Sequence, residues 1–444
     1  MLYFPRSTLV LRVVYALMLM LLCCFSSAWA QQALSIDIYG PGQHQLNLVM
    51  AKPLHLEPGV PEPPEALILN NHLRSCLGFM PFLRLVSGSE VIGGDVLAGV
   101  TAKDIDFRRF RLDRVDLVLT SGWGGNAGLG PVELRVYETF EQRLILGKSY
   151  SGVTREELPE VAARFCADLM AALTGQGDFF RSTLAVVKTH GQNKEIWTAS
   201  PLGRGLQQLT TLGGISMSPA WSRDGRSLAF TLINEGRHYL ALLDRNSMEV
   251  RRIRLPGNSV ISPAFHPGGD IVVSLDPDGR PDIYQLGKDL KIDRKLVQSW
   301  AIDISPSFDE SGTKMVFVSS RLGNPHIFFM DMNTGDVRRV TYEGTYNTNP
   351  SLSPDGRMVV FSRQTNQGHR IFLNDLTTGR ERQLTFGPRN DVSPAWAPDG
   401  FFVAFSSNRS GQYKIYLTTR HGDEPRMAPL GEGEFASPAW VRQQ

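Results

Sequence analysis

The sequence predicts a mixed fold: an N-terminal α/β domain followed by an all-β, six-bladed β-propeller that the C-terminal strand closes. Two observations carry this. A short phrase returns six times, as Ser218-Pro219-Ala220-Trp221, Ser262-Pro263-Ala264-Phe265, Ser305-Pro306-Ser307-Phe308, Asn349-Pro350-Ser351-Leu352, Ser393-Pro394-Ala395-Trp396 and Ser437-Pro438-Ala439-Trp440. Its prolines lie 44, 43, 44, 44 and 44 residues apart, the period of a four-stranded repeat unit. Residues 33–180 show no repeat and mix strand-like with helix-like periodicity, which calls for a separate α/β unit.

Each repeat reads as four strands. The residue before proline is expected to be extended, so the phrase opens the first strand. A tight turn follows, as in Ser353-Pro354-Asp355-Gly356 and Ala397-Pro398-Asp399-Gly400: proline presets one torsion, aspartate bonds the backbone ahead and glycine takes positive φ. His266-Pro267-Gly268-Gly269 and Asp309-Glu310-Ser311-Gly312 keep the glycine but lose the aspartate. The second strand is nearly continuous apolar sequence, such as Met358-Val359-Val360-Phe361, because both faces are covered. A third strand follows (Ile371-Phe372-Leu373), then a charged fourth (Glu381-Arg382-Gln383) whose polarity suits an outer edge. Residues 184–211 contain second, third and fourth strands but no first, and the sixth phrase supplies an orphan first strand. The last strand should therefore complete the opening blade. The large apolar residues of the six phrases, Trp221, Phe265, Phe308, Leu352, Trp396 and Trp440, are expected to pack blade on blade.

Meander topology places the short turns on one face and the variable inter-blade loops on the other, so specificity is expected in the loops. Trp300, Tyr346, Asn347, Arg389 and Asn390 there are of the aromatic and amide types that dominate interfaces.

In the first unit, Leu34-Ser35-Ile36-Asp37-Ile38-Tyr39 alternates like a strand, and a helix runs from about Glu65 to Leu77. Strands are expected at 82–86 and 115–120, and a hairpin at 132–137 and 144–150. Thr154 and Glu157 form a capping box for a helix whose apolar face includes Leu158, Phe165, Leu169 and Leu173.

The N-terminus reads as a secretory signal, residues 1–30: Arg6 and Arg12 precede an apolar run that ends before Ala28-Trp29-Ala30, with cleavage after Ala30. Cys23-Cys24 offers a lipoprotein signal as the alternative, which Leu22 before Cys23 disfavours. The run is too short for a permanent span. The α/β domain is then 31–178 and the propeller 179–444. The whole chain has net charge +2, and the segment removed contains two arginines and no acid, so the mature chain lacks the basic footprint that nucleic acid requires.

Cys76 and Cys166 remain after cleavage. In an oxidising compartment they either pair, worth about 4 kcal/mol by chain entropy, or stay as two buried thiols on helix faces. No Cys-x-x-Cys and no His-x-x-x-His pair is present, so neither a metal site nor a cofactor is expected. No Gly-x-Ser-x-Gly elbow is present either, which removes the hydrolase version of a propeller enzyme. A propeller enzyme with a polar site in its channel and a peptidoglycan- or sugar-binding propeller remain as alternatives, the latter since Trp300 and Tyr346 suit sugar stacking as well as protein contact.

The order of features resembles the TolB family of the Tol-Pal system in Gram-negative envelopes. The likeness rests on Ala66-Leu67-Ile68-Leu69-Asn70-Asn71-His72-Leu73-Arg74-Ser75, on Val115-Asp116-Leu117-Val118-Leu119, and on Leu173-Thr174-Gly175 followed by Phe180-Arg181-Ser182, together with the repeats. Stretches near 43–64 and 94–114 depart from the family pattern. The resemblance implies a non-enzymatic periplasmic protein, serving outer-membrane integrity and constriction at division. Its partners would be the lipoprotein Pal, TolA and other outer-membrane proteins. Pal would meet the loop positions Ser259, Ser262, Asp303, Ile304, Asn347, Thr348, Asn390 and Asp391. TolA would meet the mature N-terminal segment Leu34, Ser35, Ile36, Asp37, Ile38 and Tyr39 by strand addition.

Overall fold

The computed structural model describes residues 45–124 and 130–442, all of which fall in one compact unit. The strand expected at Leu34–Tyr39 lies outside them. A mixed sheet comes first, built from β1 (Leu46–Met50), β2 (Leu54–His55), β3 (Leu83–Val86), β4 (Leu117–Trp123), β5 (Val132–Glu138) and β6 (Arg143–Tyr150). Its order is β3-β1-β4-β5-β6, with β2 on β4. Strand β1 runs parallel to both its neighbours. It lies in the stretch near 43–64 that departs from the family pattern and for which the sequence predicted no strand, because five residues, Leu46-Asn47-Leu48-Val49-Met50, are too few to carry a clear period. A strand covered on both faces needs no alternation.

Helix α1 (Pro64–Leu77) buries Leu69, Leu73 and Cys76, and the short α2 (Phe107–Leu112) seats Phe107 and Phe110 on Val49 and Val118. Helix α3 (Leu158–Thr174) opens as its capping box predicts, with the Thr154 amide donating 2.9 Å to the Glu157 carboxylate. It ends at Gly175, whose φ of 77° closes the last turn at no steric cost.

The remaining strands form four separate four-stranded antiparallel sheets and one sheet of eight strands. Six four-stranded blades were expected; four stand as separate sheets, and the remaining eight strands share one sheet. The eight-stranded sheet arises because Lys194 N–H donates to the Gly214 carbonyl at 2.9 Å, which makes a single parallel bridge between Ile215 and Lys194. At the far side of that sheet the strand Glu434–Arg442 pairs antiparallel with Ser182–His190, from Glu434↔Thr189 to Arg442↔Ser182.

The recurring phrase differs from expectation in a second way. Ser218, Ser262, Ser305, Asn349, Ser393 and Ser437 are not extended: all six have φ between 49° and 58°. Each sits in a bulge, where two residues of the first strand face one of the second, as Ser218 and Pro219 face Phe230 between the pairs Met217↔Thr231 and Ala220↔Ala229. A bulge leaves one amide without a ladder partner, and proline at the next position has none to leave. The repeated proline is thus a bulge device, and the left-handed residue before it is the conformational cost.

The α/β region meets the propeller through aromatic rings. Phe82 meets Phe401 edge-on at 6.1 Å, and Phe179, at the junction between the two, stacks on Phe402 with centroids 4.0 Å apart. Beneath them lies Asp399, whose Oδ1 accepts from the amides of Phe401 (2.9 Å) and Phe402 (3.1 Å) while its buried Oδ2 has no hydrogen-bond partner. Burial, above all, pushes the Asp399 carboxyl up to about 6, with Asp178 adding to the rise and Arg420 opposing it. The folded state therefore binds a proton that the unfolded state releases, and stability from this group falls as pH rises from 4 through 6. His421, its ring tilted against Phe401 with centroids 5.6 Å apart, has the opposite sign: burial and then Arg420 and Arg382 hold it down at about 4, so its contribution is lost as pH falls from 6.5. The two offset each other in the wild type. Asp399→Asn is expected to be more stable than wild type at pH 7.5, by up to about 3 kcal/mol, with the advantage vanishing near pH 4. Thermal unfolding across that range checks it; a difference that does not vary with pH would refute the assignment.

Candidate partner-binding face of the propeller

The inter-blade loops lie on one face, and their anchoring follows from three buried polar positions. Asp303, Asn347 and Asp391, each at the start of a first strand, are all completely buried. Each is clamped by an arginine at the end of its own second strand or, for Arg409, two residues beyond it. Arg321 Nη2 donates to Asp303 at 3.2 Å, Arg363 Nε to Asn347 at 2.7 Å, and Arg409 Nη2 to both oxygens of Asp391 at 2.9 Å. These guanidinium groups lie over the aromatic rings beneath, as with Arg363 at 4.4 Å from the Phe372 ring centre. Asp303, Asn347 and Asp391 were expected among the positions that meet a partner; here their side chains are buried. They hold the loops from which other residues project.

The other expected positions are more open. Ser259 is half-buried, its amide donating to Asp276 at 2.7 Å, and Ser262 and Ser305 bring their hydroxyls to 3.3 Å of each other. Ile304 and Thr348 are half-buried. Asn390 is committed internally: its Oδ1 accepts from the His369 amide and its own backbone amide donates to Asn408 Oδ1, both at 2.9 Å.

Arg370 organises the loop that carries Asn390. It is 1% exposed, and no carboxylate pairs with it among its hydrogen bonds; its guanidinium donates to the carbonyls of Gln367, His369, Gly387 and Arg389. His326 is likewise buried, within 3.1 Å of Asn347 Nδ2 and 3.0 Å of Arg339 Nη2. Burial and then the charges of Arg339 and Arg363 lower its pKa, so it is neutral at pH 7. It is part of the scaffold under the loops.

What these clamps present outward is aromatic. Trp300 (71% exposed), Tyr342 (71%), Tyr346 (42%) and Phe386 (64%) stand on three consecutive inter-blade loops, with Ile302 beside Trp300. Tyr342 carries Arg339 over its ring at 4.9 Å. Phe386 escaped the sequence reading because it directly follows the fourth strand of its repeat and reads as the strand's end; its place before Gly387 was the available signal. Large exposed rings on neighbouring loops are costly to leave in water and are the residue types that anchor interfaces.

Elsewhere, Cys76 and Cys166 are both free thiols and both buried, facing each other from α1 and α3 within hydrogen-bond reach. Burial pushes the Cys166 thiol well up. The segment Leu34 to Tyr39 lies outside the described residues. Among the described residues no helix is long and apolar enough to cross a membrane.

Comparison with known proteins places these features in a family. Residues 170–444 match the family model described as TolB beta propeller domain. The chain is 47% identical over 311 residues to the Tol-Pal system protein TolB of Nitratidesulfovibrio vulgaris, 70% of each chain being covered. It is 35% identical over 331 residues to the Protein TolB homolog of Chlorobium luteolum, covering 74% of each. The crystal structure of TolB from Acinetobacter baumannii superposes with a TM-score of 0.76 at 20% identity, over 90% of this chain and 98% of that one. An α/β region followed by a propeller, the family match and the two relatives together establish that this chain belongs to the TolB family.

Proposed function

We propose that this protein is a non-enzymatic, periplasmic scaffold of the Tol-Pal system that binds Pal through the loop face of its propeller and TolA through residues 34–39. The observation that carries the reading is the row of exposed aromatic side chains on three consecutive loops, each loop held by a buried arginine clamp. A face so built is rigid before binding, so little ordering entropy opposes association. The eight-stranded sheet is read as two blades joined at one bridge, which with the other four makes a closed six-bladed ring. Residues 31–178 and 179–444 are its two domains, and residues 1–30 its export signal.

Capture from envelope extract separates the two sites. The mature chain is expected to retain both Pal and TolA, and a variant lacking residues 31–42 to retain Pal while losing TolA. Loss of both on deletion, or recovery of glycan alone by the intact chain, would overturn the two-site reading.

A further inference from the structure

The face opposite the loops carries a cavity of about 1080 Å3 at the centre of the ring, walled by residues such as Trp221, Phe265, Phe308 and Trp440. Its mouth is set by the second residue of each repeat's turn. In three repeats that residue is proline: Pro267, Pro354 and Pro398. In the other three it is Arg223, Glu310 and Arg442. The three departures from the repeat meet one another. Arg442 Nη1 donates to Glu310 Oε1 at 3.1 Å, and Arg223 Nη2 approaches the same oxygen at 3.9 Å. Glu310 thus reaches across the mouth from two repeats beyond Arg223.

Turn prolines are what the scaffold alone favours, so three charged replacements that converge on one point are a built feature. Two guanidinium groups closing on one carboxylate oxygen form a receptor for an anionic group. Arg442 is held for this task by Asp178, at 3.0 Å from its Nε, and by the Pro398 carbonyl, at 3.3 Å from its Nη2. The other carboxylates of the lining are engaged: Asp224 with Ser222 and the Arg226 amide, Asp309 with the Lys314 amide and Ser311. Glu310 is 40% exposed, and ion pairs so exposed hold weakly. It is therefore displaceable, and below it lies aromatic wall rather than further charge.

We propose that this cavity binds a carboxylate with an apolar body, the acid replacing Glu310 between Arg223 and Arg442 while the apolar part lies on the aromatic wall. Such a group occurs at the C-terminus of a peptide ending in apolar residues and on a fatty acid.

Calorimetric titration of the mature chain with N-acetyl-leucyl-phenylalanine and with decanoate, each against its amide, tests the proposal and separates the two sources. One acid is expected to bind at least about 10-fold more tightly than its amide. Glu310→Gln, which removes the internal competitor and keeps the side-chain shape, is expected to tighten that acid roughly 5-fold. Arg223→Ala with Arg442→Ala is expected to abolish the preference for acid over amide. Equal binding of acid and amide, or no binding of either acid by wild type and Glu310→Gln, would overturn it.

Discussion

Asp391→Ala is expected to lower the unfolding free energy by about 3–5 kcal/mol, although Asp391 stands at the end of a loop on the propeller's outer face. The reason is that Asp391 is completely buried and accepts two hydrogen bonds from Arg409, whose side chain is itself only 15% exposed. Removing the carboxylate leaves a guanidinium buried among Phe405, Tyr416 and Ser407 with its charge uncompensated. Leaving a charge unpaired costs much more than the pair itself contributes. Asp391→Asn keeps an acceptor and the shape, and is expected to lose roughly half as much. Urea unfolding followed by near-ultraviolet circular dichroism measures both; a loss below about 1 kcal/mol for the alanine variant would mean that the clamp is not needed. Affinity for a partner should be lost only in proportion to the fraction unfolded, which distinguishes a loop anchor from a contact residue.

The same clamp explains how much of this face was legible in the sequence. The repeat, its second and third strands and the glycine turns follow from local rules, and the structure has them where those rules put them. Whether a polar loop residue points inward does not follow from its type. Asp303 and Asp391 look like interface residues until their partners are known. A signal was nonetheless present, because Arg321 follows Asp303 by 18 residues, Arg409 follows Asp391 by 18, and Arg363 follows Asn347 by 16. A polar residue and an arginine that recur together at nearly constant spacing in successive repeats are partners across a strand pair.

The residues before the six prolines, five serines and Asn349, failed for another reason. The steric preference for extended backbone before proline is real, but a bulge repeated in every blade outweighs it, and the bulge is a property of two paired strands rather than of one. Strand β1 was missed because a parallel strand buried on both sides shows no alternation. The charged trio at the cavity mouth was visible as departures from the turn motif, yet only the closed geometry shows that Arg223, Glu310 and Arg442 converge. In each case the missing information was pairing between distant segments, which periodicity along one segment does not contain.

The second large effect is expected where the loops are exposed. Trp300, Tyr346 and Phe386 project from three loops whose bases are fixed by Asp303, Asn347 and Asp391. Truncating an aromatic anchor at the centre of an interface costs about 2 kcal/mol or more, and the three lie on a scaffold that does not depend on them for stability. The most direct test is the dissociation constant of a soluble Pal domain for the mature protein carrying Trp300→Ala, Tyr346→Ala and Phe386→Ala together, with the unfolding temperature as the control. The account predicts an affinity lower by roughly 100-fold or more at an unchanged unfolding temperature; wild-type affinity in that folded variant would contradict it.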